Sequence, residues 1–155
     1  MDKKNAKNKN AKSSKDYFME GGNCSESTLL GISEAIGKKC KFIPRIASGF
    51  GGGFGRHGEI CGAISGSVMA IGLVHGRKDL KDAAAKEKIY GIVDEYLKKF
   101  IEKYGTLSCR ELTGCNMLTP EGLKKMKDEK MHVNVCAPIV EFAEREALKI
   151  INDKK

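Results

Sequence analysis

The strongest constraint on the fold is a recurring pattern of residues that start and stop helices. Asn23 is followed three residues later by Glu26, and Ser108 by Glu111, which is the spacing of a capping box at a helix N-terminus. Glycines such as Gly105 follow the candidate helices, as expected of C-terminal caps. No segment shows the two-residue alternation of a half-buried strand. The pattern predicts an all-α fold: a helical bundle of four principal helices, with short extra helices and a glycine-rich loop.

Apolar residues recur with a helical period between these signals. The longest predicted helix runs from a cap at Asp79 to about Tyr104, and Ile92, Tyr96 and Phe100 follow its 3.6-residue period. Small residues at four-residue spacing predict close packing by a neighbouring helix: Gly62, Gly66 and Ala70. The other predicted helices cover residues 16–20, 23–36, 59–75, 108–113 and 119–131, with a short segment from Pro44 and a last helix entered through Pro138.

Residues 1–14 form a lysine-rich tail that we expect to be disordered. Residues 1–16 carry six lysines and two aspartates, which supply half of the formal net charge of +8. A segment dominated by lysine, asparagine, alanine and serine cannot bury enough apolar surface to order itself. It also lacks the aromatic residues that stack on bases, so nucleic acid is not an expected partner. Residues 15–155 are long enough for a single helical domain that holds the cysteine site.

The hydropathy pattern gives no sign of a membrane protein. No stretch reaches the roughly 20 apolar residues that cross a bilayer. The basic N-terminus is followed by more lysine rather than by the apolar core of a signal peptide. We therefore expect a soluble, cytoplasmic protein without a membrane partner. In a reducing cytosol, its six cysteines indicate metal binding or thiol chemistry rather than structural disulfides.

Four of the six cysteines lie at predicted helix starts. Cys24 and Cys109 directly follow the two caps, Cys61 follows the glycine-rich loop, and Cys136 lies two residues before a proline. The positive end of the helix dipole favours a thiolate, the form that binds metal or attacks a disulfide. The spacings of 37, 48 and 27 residues match no local metal motif, so tertiary structure must assemble any shared site.

The remaining cysteines and two of the histidines have less distinctive surroundings. Cys40 is interpreted as a spare cysteine, and Cys115 is left open between a spare cysteine and a resolving thiol. His75 and His132 are interpreted as surface or capping histidines.

The glycine-rich loop, GFGGGFGRHG at residues 49–58, contains a Gly-x-Gly-x-x-Gly motif. In dinucleotide-binding proteins this motif follows a β-strand, whereas the segment before this loop contains a proline and reads as helical or irregular. We interpret the loop as one that brings backbone N–H groups close to the thiolate of Cys61 or to an adjacent anion. The candidate binding residues in and after the loop are Gly53, Gly55, Arg56, Gly58 and Gly62.

The segment GEICGAISG at residues 58–66, together with the preceding FGGGFGR, resembles the signature of the C_GCAxxG_C_C family of redox-active proteins. The segments NCSES at residues 23–27 and SCREL at residues 108–112, and Cys136, match the other three cysteine positions of that family in order. The resemblance extends over residues 17–150. It implies a compact α-helical domain in which Cys24, Cys61, Cys109 and Cys136 lie near one another.

The resemblance also implies a function. A similar domain occurs in split-Soret cytochromes c, which suggests electron transfer and an iron–sulfur cluster. This chain has no Cys-x-x-Cys-His, so covalently attached haem is not expected. The resemblance names no substrate and no redox partner protein.

Three hypotheses follow for the four cysteines. The first is an iron–sulfur redox protein with Cys24, Cys61, Cys109 and Cys136 as ligands, since four thiolates are the usual complement of such clusters. The second is a thiol–disulfide oxidoreductase in which Cys61 is the catalytic nucleophile and a neighbouring cysteine resolves the disulfide. The third is a structural Cys₄ zinc site. The sequence leaves open whether the protein is an enzyme and whether it forms a homodimer.

Overall fold

The computed structural model describes residues 11–154, and the predicted all-α fold is confirmed. In this part of the chain the backbone is helical apart from turns and one isolated β-bridge between Ile60 and Ser108. The α-helices are α1 (Ser14–Met19), α2 (Cys24–Ala35), α3 (Gly51–Phe54), α4 (Gly62–His75), α5 (Ala83–Tyr104), α6 (Cys109–Thr113), α7 (Pro120–Asp128) and α8 (Ala137–Asp153). A 3₁₀-helix (Arg45–Phe50) precedes α3, and a π-helical turn (His132–Cys136) precedes α8.

The capping residues explain where two of the site helices begin. The Asn23 side chain accepts hydrogen bonds from the N–H groups of Ser25 and Glu26 at 3.0 Å, and the Glu26 carboxylate accepts from the Asn23 N–H at 3.0 Å. This confirms the first capping box. At the second, Ser108 Oγ accepts from the Glu111 N–H at 3.3 Å. The reciprocal half is absent, because the Glu111 carboxylate accepts from the Thr106 hydroxyl instead.

Several predicted boundaries are wrong. The longest helix is capped by Asp82 rather than Asp79, because the Asp79 carboxylate accepts from the Lys81 N–H in the preceding turn. Helix α4 begins at Gly62, since residues 59–61 pair with the segment before α6. The predicted glycine loop contains the single turn α3, in which Gly52 and Gly53 are left-handed.

The predicted end of the tail falls inside α1. Ser13 caps this helix, and Ser14 is fully buried with its N–H donating to the Glu144 carboxylate at 2.9 Å. The helical domain therefore begins before residue 15, because Glu144 of α8 binds the Ser14 N–H. The sequence pattern does not show this contact. Residues 1–10 of the predicted tail lie outside the described residues.

Helices α2, α4 and α8 contact one another and form the centre of the domain. The predicted small-residue stripe lies at the α2–α4 contact: a Cβ added at Gly66 would lie 2.4 Å from the Ser25 carbonyl oxygen, and one added at Gly62 would lie 3.1 Å from Cys24 Cβ. Helix α2 therefore approaches α4 at a distance that only glycine permits at these positions.

The long helix α5 packs across α4 and α8. It buries Ile92, Tyr96 and Phe100, and the Phe100 ring contacts the Phe142 ring of α8 edge-on at 5.7 Å. These are the residues that the 3.6-residue period predicted. The four longest helices are α2, α4, α5 and α8; their arrangement as a four-helix bundle stays a prediction. Within residues 11–154, no helix combines the length and apolar character needed to traverse a bilayer.

The α2–α4 contact can be tested with two glycine substitutions in the same helix. We expect Gly66→Ala to lower the free energy of unfolding by about 1–3 kcal/mol, because the added methyl group overpacks the contact. Gly72 has no neighbour within 4 Å of an added Cβ, so Gly72→Ala should be neutral or stabilising by up to about 1 kcal/mol. Urea denaturation measures both; equal stability of the two variants would contradict the predicted contact.

Candidate functional site

Cys24, Cys61, Cys109 and Cys136 line a single cavity of about 10 Å³. Four separate segments supply them: the first residue of α2, the cap of α4, the first residue of α6 and the end of the π-helical turn. Cys61, Cys109 and Cys136 are buried and Cys24 is half-buried. The rest of the lining is Leu112, Thr113 and Ile139. The structure thus brings together the four cysteines that the sequence singled out.

Cys61 and Cys109 are held side by side by the isolated β-bridge. The Cys61 N–H donates to the Leu107 carbonyl at 2.9 Å, and the Cys109 N–H donates to the Glu59 carbonyl at 2.6 Å. Each hydrogen bond joins the N–H of one cysteine to the carbonyl of the residue that lies two positions before the other cysteine. Although 48 residues separate them in the sequence, the two cysteines are fixed relative to each other by these main-chain bonds and by a bond from the Ser108 hydroxyl to the Gly58 carbonyl at 3.0 Å.

Cys24 and Cys136 form a second pair. The Cys24 and Cys136 thiols interact closely enough to shift each other's pKa in opposite directions, and Cys24 Cβ packs against Gly62 of α4. Cys136 directly precedes α8, as predicted, but its helix start is not free. The π-helical turn runs directly into α8, and the Ala137 N–H donates to the His132 carbonyl, so this N–H group does not face the sulfur.

Burial is the main cause that keeps two of the four thiols protonated, and it contributes at a third. It raises the pKa of Cys61 to about 12, against the opposing effect of the Ala63 N–H, and the pKa of Cys109 to about 11. The pKa of Cys24 is raised well above its usual value by the hydrogen bond to Cys136 and then by burial. The same hydrogen bond lowers the pKa of Cys136. Placement at a helix start therefore does not produce a thiolate at Cys61 or Cys109, because desolvation favours the neutral thiol there.

The donor set and the present arrangement of the thiols lead to different conclusions about a metal. Four cysteines without a competing carboxylate or imidazole are the ligands that zinc and iron–sulfur clusters take. Yet no group of three or more His, Cys, Asp or Glu side chains among residues 11–154 is arranged to hold a metal ion. The cavity has room for about one water molecule. The four cysteines are suitable ligands for zinc or an iron–sulfur cluster. The thiols would have to reorient before either could bind.

The predicted binding glycines divide into two sets. Gly53 and Gly62 lie against the cysteines: a Cβ at Gly53 would be 2.8 Å from Cys109 Cβ, and Gly62 adjoins Cys24. Gly58 instead gives room to Arg110. Gly55 and Arg56 line a separate cavity further from the thiols. A cofactor-binding role for these residues stays a prediction.

The structure places a cleft over the cysteines that the sequence did not reveal. A cavity of about 400 Å³ is lined by Cys24, Cys109 and Cys136, and a neighbouring cavity of about 500 Å³ shares its lining residues Asn23, Gly52, Met117 and His132. The shared residues place the two cavities side by side, and together they are called the cleft below. His132, interpreted from the sequence as a surface or capping histidine, lies in the cleft wall. Its four-residue spacing from Cys136 in one helical segment is the signal that could have placed both on one face.

The other two cysteines lie outside the four-cysteine cavity. Cys115 is buried, and its Sγ donates to the Thr113 carbonyl at 3.3 Å. Cys40 is exposed in the segment after α2. Neither lines the cavity.

Comparison with known proteins agrees with the site. The family model described as "Putative redox-active protein (C_GCAxxG_C_C)" matches residues 22–150, a range that contains all four cysteines. An "Uncharacterized protein" of Archaeoglobus fulgidus is 26% identical over 152 residues, an alignment that covers 90% of this chain and 91% of that protein. No solved structure matches the chain. Because the family model covers most of its length, the chain belongs to the C_GCAxxG_C_C family of redox-active proteins.

Proposed function

We propose that the protein transfers electrons through an iron–sulfur cluster bound by Cys24, Cys61, Cys109 and Cys136. The observation that carries the proposal is the convergence of these cysteines from four segments on one cavity. Four thiolates are the usual ligand set of such a cluster. The family's redox description favours a group that changes oxidation state.

The residues around the thiols suit this role. Among residues 11–154, the lining of the four-cysteine cavity contains no charged side chain, so no protein charge lies against the sulfurs there. The N–H groups of Ala63 and Ile64 lie close enough to the Cys61 thiol to lower its pKa, although burial outweighs them. N–H groups near a cluster's sulfur ligands raise its reduction potential. The cluster, when bound, supplies one-electron chemistry, and the protein contributes ligands, burial and these donors.

The two alternatives differ from this proposal in testable ways. Thiol–disulfide exchange requires access to the attacking sulfur, and Cys61 is only 5% exposed. A structural zinc site uses the same four cysteines, but zinc has no redox chemistry. The burial of Cys61 therefore favours ligation over exchange, and the redox description of the family favours iron over zinc.

Metal content tests the ligand assignment. We expect the protein purified anaerobically to contain iron and acid-labile sulfide, and Cys61→Ser to lose them, because a serine oxygen binds soft metals poorly. Cys40→Ser is the matched control and should keep the full complement. Colourless wild-type protein with one zinc per chain would show that the four cysteines form a structural zinc site rather than a cluster site. Retention of iron by Cys61→Ser together with its loss from Cys40→Ser would refute the assignment.

Thiol modification separates ligation from exchange. In chelator-treated, metal-free protein we expect Ellman's reagent to modify the exposed Cys40 at least about tenfold faster than Cys61, because burial slows access to the sulfur. Cys40→Ser should remove the fast phase, which stopped-flow absorbance records. If Cys61 is modified as fast as Cys40, the exchange mechanism is favoured and cluster ligation loses its main support.

A further inference from the structure

The cleft beside the cysteines has the size and apolar lining of a small-molecule site. Its two cavities, of about 400 and 500 Å³, fall within the range of pockets that bind metabolite-sized ligands. Phe18, Met117 and Met126 form part of the wall of the first cavity. Methionine side chains adapt to the shape of what they contact, so this wall suits the apolar body of an organic molecule.

The second cavity contributes a positive charge. Arg56 lines it, and among residues 11–154 its guanidinium makes neither a hydrogen bond nor an ion pair. The arginine stem lies over Gly52 beside Met117: a Cβ added at Gly52 would be 3.2 Å from Arg56 Cγ and 3.5 Å from Met117 Cε. A guanidinium without a protein partner is suited to bind a carboxylate or phosphate with two parallel hydrogen bonds.

The other lining residues do not oppose a negative ligand. Within the described part of the chain, neither cavity is lined by an aspartate or a glutamate. The remaining polar lining includes the imidazole of His132, which can donate a hydrogen bond to an anion, and the amide of Asn23, which already donates to the Ser48 carbonyl at 3.0 Å. Arg56 also adopts a positive φ of 74°, a conformation that non-glycine residues seldom take.

We propose that this cleft binds a small organic anion, with its acidic group on Arg56 and its apolar body along Met117 and Met126. The ligand's far end then lies over Cys24, Cys109 and Cys136, which line the same cleft. This assigns a ligand class beyond the electron-transfer role. It does not depend on that role, because neither Arg56 nor the two methionines are among the four cysteines.

Two probes of equal shape and opposite charge test the proposal on the full chain: 1-naphthylacetate and 1-naphthylmethylammonium. Isothermal titration calorimetry should show the acid binding at least about tenfold more tightly than the amine. Arg56→Gln should abolish that preference, and Arg56→Lys should keep part of it. Arg45→Gln removes an exposed arginine that does not line the cleft, and it should leave the preference unchanged.

The location is checked separately with ¹³C-methyl methionine labelling. Naphthylacetate should shift the methyl signals of Met117 and Met126 and leave that of Met69, which lines neither cavity. Equal affinity for the two probes, an unchanged preference in Arg56→Gln, or a shift dominated by Met69 would each overturn the proposal. The two experiments measure ligand binding and depend neither on bound metal nor on redox activity. The anion-binding proposal can therefore fail while the cluster is present, or hold while the cluster is absent.

Discussion

The glycine-mediated contact between α2 and α4 is the constraint on which the site depends. Cys24 begins one of these helices and Cys61 caps the other, so the distance between the helices also sets the distance between the two cysteines. Gly66 leaves no room for a side chain at this contact, and Gly62 leaves very little. Glycine inside a helix costs roughly 0.5–1 kcal/mol of stability relative to alanine. The van der Waals contacts between α2 and α4 that this close approach allows act against that cost.

The competition between burial and backbone electrostatics decides the state of the thiols. Helix starts favour the thiolate, yet Cys61 and Cys109 lie in an apolar cavity that favours the neutral thiol. Protonated, buried cysteines are poor nucleophiles and oxidise slowly. A metal that displaces their protons would reverse this balance, because the metal's own charge then stabilises the thiolates.

More of the fold than of the site could be predicted from the sequence. Local signals sufficed for the all-α class and the start of α2, because caps and a 3.6-residue period depend on neighbouring residues. The selection of Cys24, Cys61, Cys109 and Cys136 combined placement at helix starts with a family resemblance. The π-helical turn before α8 and the hydrogen bond from Ser14 to Glu144 were missed, because each depends on contacts between distant segments. The cleft was missed for the same reason: Arg56, Met117 and His132 meet only in the folded chain.

The isolated bridge between Ile60 and Ser108 has a consequence for sequence change within the family. Its ladder hydrogen bonds use main-chain atoms, and the Ser108 hydroxyl adds one to the Gly58 carbonyl at 3.0 Å. In extended backbone, successive side chains point to opposite sides. One residue inserted or deleted in either paired segment would turn Cys61 or Cys109 away from its partner. The length of the two paired segments, between the glycine loop and α4 and between α5 and α6, therefore constrains the site as much as the cysteines themselves do.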